Sequence, residues 1–280
     1  GRNMGMRLAT SVERRRRIRR AVRHVEGRLR AEPAAQMALS ELADVACISL
    51  FHFIRLYQHA VGETPQATLR RLRLQTARLR LAADPTLSVT EVAFDSGYDS
   101  SQAFTRAYRR QFGSVPSVRE TRAALEESVD AAVVELPPLQ MKIMDVEQSW
   151  NGAWSAYDEL MGHLEVAEVP QRDQEMFGIL SPNRVFDHAC ALENDLVKDA
   201  FQMKRTRLDG GWHACLSGQP DAVWRRLGRD ASLKQARSID RPMLMRYLND
   251  PSYRVDTEQR IRLYVPLQRD VRPEDLALLL

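Results

Sequence analysis

One motif occurs twice in this sequence, and the second copy follows the first at a fixed distance. In each copy a Phe and a Tyr lie four residues apart, so they share one face of a helix and can be buried there, while the Arg between them projects from another face. Each copy therefore predicts two short helices joined by a tight turn, the helix-turn-helix pattern. The matched residues, 51 positions apart, are Ser49 and Ser100, Phe53 and Phe104, Arg55 and Arg106, Tyr57 and Tyr108, Gly62 and Gly113, and Pro65 and Pro116.

The segment between the two copies predicts one continuous helix. Residues 65–83 contain no Gly, and they carry several Leu and five Arg, residue types that favour a helix. A helix of 19 residues is about 28 Å long. This length is close to the roughly 34 Å between successive major-groove faces on one side of B-DNA. A single chain could therefore present two recognition helices to one side of a duplex.

Charge divides the chain near residue 123. Residues 1–123 contain 22 Arg, no Lys and 11 acidic residues, a net charge of +11, whereas the remaining 157 residues have a net charge of −7. A strongly basic segment favours a polyanion, because its cationic side chains release counterions from phosphates and Arg can bind a phosphate through two hydrogen bonds. The Arg run in a helix predicted at 12–29 is open to two interpretations, phosphate contact or a solvated, self-repelling face.

Cysteine content and hydropathy predict a cytoplasmic protein. The three cysteines, Cys47, Cys190 and Cys215, are too few and too scattered for a disulfide framework, which fits a reducing compartment. No segment resembles a signal peptide, and no uninterrupted apolar run approaches the ~18 residues that a membrane span needs. The length of 280 residues suits two domains, each able to bury its own core.

Residues 12–122 resemble the DNA-binding domain of the AraC/XylS family of transcription regulators, in which two helix-turn-helix units flank a long helix. The second unit matches that family most closely, through Ala93-Phe-Asp-Ser-Gly-Tyr98, Phe104, Arg106-Ala-Tyr108, Phe112-Gly113 and Pro116. The resemblance implies base-facing side chains at Leu50, Phe51, Ile54 and Arg55 on the first recognition helix, and at Ser101, Gln102, Thr105 and Arg106 on the second.

Two departures from the family pattern and several structural alternatives accompany this assignment. Cys47 stands at a turn position that is often Gly, and Ile54 stands where a polar reader is common. Ile54 therefore predicts apolar contact with DNA, for example with thymine methyl groups. As alternatives, each of the two matched Arg could pair with an acidic neighbour, and Gln102 could cap its helix.

Beyond residue 138 the sequence predicts strands as well as helices. Residues 123–138 are interpreted as a connector, because they contain an acidic cluster and end at Pro137-Pro138. The predicted fold class is α+β: an all-α double helix-turn-helix domain at 1–123, a linker at 124–138, and an α+β domain of two strand-helix-strand-strand repeats at 139–280. The first repeat is predicted at 141–146, 153–164, 176–180 and 187–192, and the second at 211–216, 221–227, 243–248 and 259–266.

Residues 139–268 are similar to the GyrI-like small-molecule-binding domain. The matching residues are Gly152, Gly218, Arg184, Phe186-Asp187, Leu248-Asn-Asp-Pro251 and Leu263-Tyr-Val-Pro-Leu267. An AraC-type reader followed by such a domain resembles the arrangement of Rob-type regulators. Aromatic walls with a few polar groups suit a ligand pocket, although a place in the core is the alternative for each aromatic residue. The ligand-binding candidates are Trp150, Trp154, Phe177, Tyr247, Arg262 and Tyr264.

The sequence also predicts the charge of the effector. Ile261, Leu263 and Val265 alternate with Arg262 and Tyr264, so the apolar set should face the helices and the other two the opposite side of the sheet. The resemblance implies Glu at the positions of Met245 and Arg262 in relatives that bind cationic drugs. Because Arg favours anions, the expected effector is an anionic or neutral aromatic molecule, unless Arg262 pairs with Glu147 or Asp187.

The predicted function is sequence-specific transcription regulation. We expect an activator that binds double-stranded promoter DNA, contacts RNA polymerase and senses a small-molecule effector. The alternatives are a GyrI-like hydrolase of electrophilic toxins, disfavoured by the missing Glu residues, and an architectural DNA binder. Neither a catalytic residue, a cofactor, a bound metal nor a membrane partner is expected. A zinc site at His188-Ala-Cys190 and His213-Ala-Cys215 is a weak alternative, because the expected sheet order separates the two strands by a third.

Overall fold

The computed structural model describes residues 2–117, 129–145, 150–169, 175–181, 186–192, 203–250, 253, 258–272 and 274–275, with residues 2–4, 145, 150–154 and 186–192 described by their backbone alone. The chain divides into two compact units. One comprises residues 16–127, and the other combines residues 1–15 with residues 128–280. We call them the helical unit and the sheet unit.

The described part of the helical unit consists of helices joined by short turns. Its first helix, α1, is longer than predicted, because the prediction began where the apolar periodicity begins and no Pro interrupts the preceding residues. The predicted long helix is confirmed with the same bounds. The helices are α1 (Arg2–Ala31, of which residues 16–31 belong to this unit), α2 (Leu39–Val45), α3 (Leu50–Val61), α4 (Pro65–Ala83), α5 (Val89–Asp95) and α6 (Ser101–Phe112).

Local capping interactions explain where several of these helices begin and end. Ser88 and Glu91 form a reciprocal capping box at the start of α5, which satisfies two amide groups that have no partner within the helix. Helices α3 and α6 both end at a glycine with a left-handed backbone, Gly62 at φ 81° and Gly113 at φ 76°. That conformation costs Gly the least, which explains why this residue recurs in both copies of the motif.

The repeated aromatic pairs form the centre of the helical unit. Phe53 and Tyr57 are buried, with ring centroids 5.3 Å apart, and Phe104 and Tyr108 are buried with centroids 5.7 Å apart. Their predicted place in the core is confirmed. The Tyr57 hydroxyl donates a hydrogen bond to Thr68 Oγ1 on α4 at 3.0 Å, so the first helix-turn-helix is held to the long helix by a buried polar contact as well as by packing.

The sheet unit is built on an antiparallel sheet of eight strands in the order β1-β6-β8-β7-β3-β4-β2-β5. Its strands are β1 (Asp130–Leu136), β2 (Leu139–Asp145), β3 (Met176–Leu180), β4 (Phe186–Leu192), β5 (Lys204–Leu208), β6 (Gly211–Gly218), β7 (Met243–Tyr247) and β8 (Ile261–Pro266). Its other helices within the described residues are α7 (Trp150–Val166), α8 (Pro220–Arg229) and α9 (Ala231–Ala236).

Two strands, β1 and β5, and the helix α9 were not predicted. Strand β1 lies inside the segment interpreted as a linker, where residues 130–136 pair with β6 along their whole length. Both strands stand at the edges of the sheet. Edge strands are partly exposed on both faces and tolerate charge, as the sequence Lys-Arg-Thr-Arg-Leu of β5 illustrates, so they lack the alternating pattern that marks a strand.

The two faces of the sheet carry different clusters. On one face, Ile261, Leu263 and Val265 of β8 pack with Leu160 of α7 and Val223 of α8, as predicted from their alternation. Tyr264 belongs to a second buried cluster on the opposite face, together with Met141, Ile143, Phe177, Ile179, Cys215 and Leu244. We call these faces the helix face and the far face.

The first 15 residues complete the sheet unit by packing on α7. A Cβ atom at Gly162 would lie 2.8 Å from Val12 Cγ2 and 3.2 Å from Leu8 Cδ1, so a glycine is needed where the two helices touch. Next to this contact, Arg15 is 90% buried and bonds to Asp250 Oδ2 through Nη2 at 2.8 Å. Its Nε lies 3.8 Å from Oδ1 of Asp158, a carboxylate with no exposed surface.

Candidate functional site

The helical unit presents two sets of side chains at equivalent places on α3 and α6. All eight base-facing candidates are exposed or half-exposed. The buried aromatic pairs lie on the opposite side of each helix, so packing in the core determines which side chains remain exposed. The sets are Leu50, Phe51, Ile54 and Arg55 on α3, and Ser101, Gln102, Thr105 and Arg106 on α6.

The set on α3 is largely apolar. Phe51 is 74% exposed and Leu50 is 43% exposed, which is unusual for side chains of this size. The Arg55 guanidinium carbon lies 5.7 Å from the centroid of the Phe51 ring, within the range of a cation–π interaction. This surface can therefore offer apolar contact and a cation from adjacent positions.

The set on α6 is polar, and its side chains are not used within the fold. Ser100 caps this helix by accepting a hydrogen bond from the Ala103 amide, so Gln102 does not serve as the cap. Among the described residues, neither Gln102 nor Arg106 has a hydrogen-bonding or ion-pair partner, and the same holds for Arg55. The structural alternatives to base contact, an ion pair for either Arg or a helix cap by Gln102, are therefore not seen in the described part of the chain.

The turns that set the angle within each helix-turn-helix differ in one residue. Gly97 has a φ of 78° in the second turn, and Cys47 has a φ of 55° in the first. A left-handed backbone is unfavourable for a residue with a side chain. Arg17 on α1 donates to the Cys47 carbonyl at 2.9 Å, and Arg20 lies 3.7 Å from its Sγ. These two arginines therefore support the strained turn, a role that sequence reasoning missed.

Much of the arginine content of the helical unit forms ion pairs within the fold. Arg80 pairs with Asp95 at 2.7 Å, and Arg71 with Glu63 at 2.6 Å. On α1, Arg23 and Arg30 both pair with Glu26. Arg16, by contrast, is exposed. The arginine run is therefore neither wholly a solvated face nor wholly available for phosphates.

The sheet unit brings three of the ligand-binding candidates together and separates one. Phe177, Arg262 and Tyr264 lie on the far face. Tyr247 lies on the helix face, where its ring meets that of Tyr157 at a centroid distance of 5.0 Å, so it does not share a face with the other three. Burial raises the pKa of the Tyr247 hydroxyl. The side chains of Trp150 and Trp154 lie outside the described residues.

Met245 also lies on the helix face, so the two positions at which the resemblance implies Glu, those of Met245 and Arg262, lie on opposite faces of the sheet. The residue directly opposite Arg262 is Arg246 of β7. Sequence reasoning missed Arg246, although the alternation of β7 carried the signal. Because Met243, Met245 and Tyr247 share the helix face, Leu244 and Arg246 must share the other.

The two His-Cys pairs are too far apart to bind one zinc ion. They lie on β4 and β6, and three strands separate β4 from β6 in the sheet, not the single strand expected. At about 4.8 Å per strand spacing, the separation is roughly 19 Å, far beyond the ~2.0–2.3 Å of zinc–ligand bonds. His213 is instead bonded through Nδ1 to the Gly211 carbonyl at 2.7 Å, and burial lowers its pKa.

Within the described ranges, the helices include none with the length and apolar character that a membrane crossing requires. The described residues likewise include no group of three or more His, Cys, Asp or Glu arranged to hold a metal ion.

Comparisons with known proteins identify the helical unit. Residues 42–122 match the helix-turn-helix domain family. The HTH-type transcriptional regulator AlkR of Acinetobacter baylyi is 36% identical over 88 residues, which are 31% of this chain and 28% of AlkR. The RCS-specific HTH-type transcriptional activator RclR of Escherichia coli is 36% identical over 84 residues, which are 30% of this chain and 29% of RclR.

A solved structure of a probable AraC family transcriptional regulator from Rhodopseudomonas palustris is 34% identical, covers 37% of this chain and 95% of that chain, and has a TM-score of 0.31. Residues 42–122 are a helix-turn-helix domain. The chain spans less than a third of the length of the two curated relatives.

Proposed function

We propose that the chain is a sequence-specific DNA-binding transcription regulator whose sheet unit senses a small-molecule effector. One observation carries the proposal: α3 and α6 expose matched sets of side chains that have no hydrogen-bonding or ion-pair partner among the described residues, on a scaffold whose core is itself repeated. Relatives with this type of domain bear the names of transcriptional regulators and activators. Activation through contact with RNA polymerase and a cytoplasmic location belong to the proposal.

The two helices would read DNA in different ways. Arg106 and Gln102 on α6 can form paired hydrogen bonds with guanine and adenine, respectively, in the major groove. On α3, Phe51 and Ile54 are suited to thymine methyl groups, and Arg55 to guanine or phosphate. Two unlike readers in one chain predict an asymmetric site, which a single copy can occupy.

The proposed domains are an AraC-type reader at 1–123, a linker at 124–138 and a GyrI-like effector domain at 139–280 with two strand-helix-strand-strand repeats. The compact units support a division close to residue 127. Residues 1–15, however, pack in the sheet unit, and residues 130–136 form a strand there. The proposed effector domain therefore also includes residues 1–15 and 130–136.

Binding-site selection from random DNA with the full chain, followed by footprinting on the selected sequence, tests the proposal. We expect protection of two adjacent major grooves on one side of the duplex, an asymmetric consensus, and a steep loss of affinity with salt because several phosphates are neutralised. Gel mobility should show one chain per site. A palindromic consensus, binding by dimers alone, or no enriched sequence would contradict it.

The hydrolase alternative is not favoured. That chemistry was expected to depend on acidic side chains in the ligand site. At the position of Arg262, where the resemblance implies Glu in relatives, the far face carries a cross-strand pair of arginines, Arg246 and Arg262. An arginine cannot act as a carboxylate general base.

A further inference from the structure

We propose that Arg246 and Arg262 form the subsite of the sheet unit that binds the oxyanion group, carboxylate or phosphate, of a small ligand. The inference rests on the proposed function, since it names the charge of the effector that the sheet unit would sense. It is carried by the register of the central strands and by the surroundings of the two guanidinium groups.

The register places the two arginines side by side. Arg246 of β7 pairs directly with Arg262 of β8, and residues opposite each other in an antiparallel pair have Cβ atoms about 5 Å apart on the same face. Phe177 on β3 and Ser217 on β6 continue this row on either side. The result is a line across four neighbouring strands with two cations at its centre.

The fold supports each guanidinium by contacts that leave donors available. Arg262 donates from Nε to Ser217 Oγ at 3.1 Å, and a hydrogen bond with the Tyr264 hydroxyl is the main cause of its raised pKa. Arg246 pairs with Glu175, and its guanidinium carbon lies 5.8 Å from the centroid of the Phe177 ring. Its buried Nε has no hydrogen-bond acceptor among the described residues.

The charges at this point do not balance. Two like charges placed directly across a strand pair repel each other. Glu175 compensates one of them, whereas Arg262 has no carboxylate partner in the described part of the chain. Asp187 stands on β4, three strand spacings from β8, about 14 Å away. Glu147 lies outside the described residues. The pair therefore attracts one further negative charge.

The geometry also selects the chemistry of the ligand. The planar fork of a guanidinium matches the two oxygens of a carboxylate or phosphate, which a second Arg can bind from the other side. Both arginines are partly exposed, since the Arg246 side chain is 32% exposed and Arg262 is half-buried.

Calorimetry of the full chain with three matched probes tests the proposal. The probes are phenyl phosphate, benzyl alcohol and benzyltrimethylammonium, which share a ring and differ in charge. We expect phenyl phosphate to bind most tightly, and Arg262→Gln to weaken it at least tenfold. Arg207→Gln is the matched control, since Arg207 is exposed on the edge strand β5 and loses the same charge; it should change the affinity less than twofold.

The outcomes separate this site from other causes. Equal loss in both variants, unchanged affinity in Arg262→Gln, tighter binding of the cation by wild type, or no binding of phenyl phosphate would each overturn the proposal. If Arg262→Gln is unfolded, Arg262→Lys serves instead; it keeps the charge but not the fork, and at least a threefold loss is expected. Affinity for DNA is measured in parallel. If the wild-type chain binds phenyl phosphate through Arg262 but does not bind DNA specifically, the proposed regulator role is rejected and the anion site is not.

Discussion

Replacing Arg15 with Met should destabilise the sheet unit far more than the same change at its neighbours. Arg15 is 90% buried, Asp158 has no exposed surface and Asp250 is 29% exposed. Burial by itself lowers the pKa of Arg15, but the charge and hydrogen bond of Asp250 and the charge of Asp158 outweigh it and raise the pKa. Met fills a similar volume without charge, so the substitution leaves a buried carboxylate with its cation removed.

The size of the effect follows from this burial. Breaking a buried ion pair by removing one partner costs about 3–5 kcal/mol. The Arg15 guanidinium carbon also lies 4.9 Å from the centroid of the Tyr253 ring, a contact worth roughly 0.5–2 kcal/mol. Arg14→Met removes the ion pair between Arg14 and Glu165, whose side chains are 41% and 43% exposed, respectively. The loss of this exposed pair should cost no more than about 1 kcal/mol. Arg16→Met, at an exposed position, should cost less still.

Urea unfolding followed by tryptophan fluorescence is a selective assay, because all four Trp (150, 154, 212 and 224) belong to the sheet unit. Asp158→Asn in the Arg15→Met background should recover part of the loss, since it removes the uncompensated charge. An Arg15→Met variant within about 1 kcal/mol of Arg14→Met would refute the assignment of residues 1–15 to this unit.

Three other changes test local features. Gly162→Ala should cost about 1–3 kcal/mol in the same fluorescence assay, because its Cβ would meet Val12. Gly228→Ala is the control and should be neutral or stabilising, because a Cβ there meets nothing within 4 Å. Equal effects of the two substitutions would contradict the contact between Gly162 and Val12. Gly97→Ala should destabilise the second helix-turn-helix by roughly 1–2 kcal/mol, because its φ is 78° and its Cβ would lie 3.3 Å from that of Ala34. Cys47→Gly should stabilise the first by about 0.5–1 kcal/mol. Hydrogen exchange of α3 and α6 measures both changes, and a stabilising Gly97→Ala or a destabilising Cys47→Gly would refute the account of the turns.

The sequence predicted the helical unit well because its pattern is local. The aromatic pairs and the long helix depend on residues a few positions apart, and the structure confirms them. The exposed places of Arg55 and Arg106 follow from the same spacing. Their contact with DNA stays a prediction.

The sheet unit was predicted less well because its properties depend on pairing between distant segments. Alternation placed Arg262 and Tyr264 opposite the helices, as the structure confirms. The same rule applied to β7 would have put Met245 and Tyr247 on the helix face and Arg246 beside Arg262. The order of the strands, which separates the two His-Cys pairs and places β1 and β5 at the edges, could not be read from any local pattern.

The most direct test of the regulator proposal compares Arg106→Ala with Arg16→Ala on specific and nonspecific DNA by fluorescence anisotropy at one salt concentration. Arg106→Ala should cost roughly 1–3 kcal/mol at the selected site, with little change on nonspecific DNA, because a base contact is lost. Arg16→Ala should weaken both alike, because a phosphate contact carries no base information. An unchanged ratio of specific to nonspecific affinity in Arg106→Ala would contradict the assignment of α6 as a recognition helix.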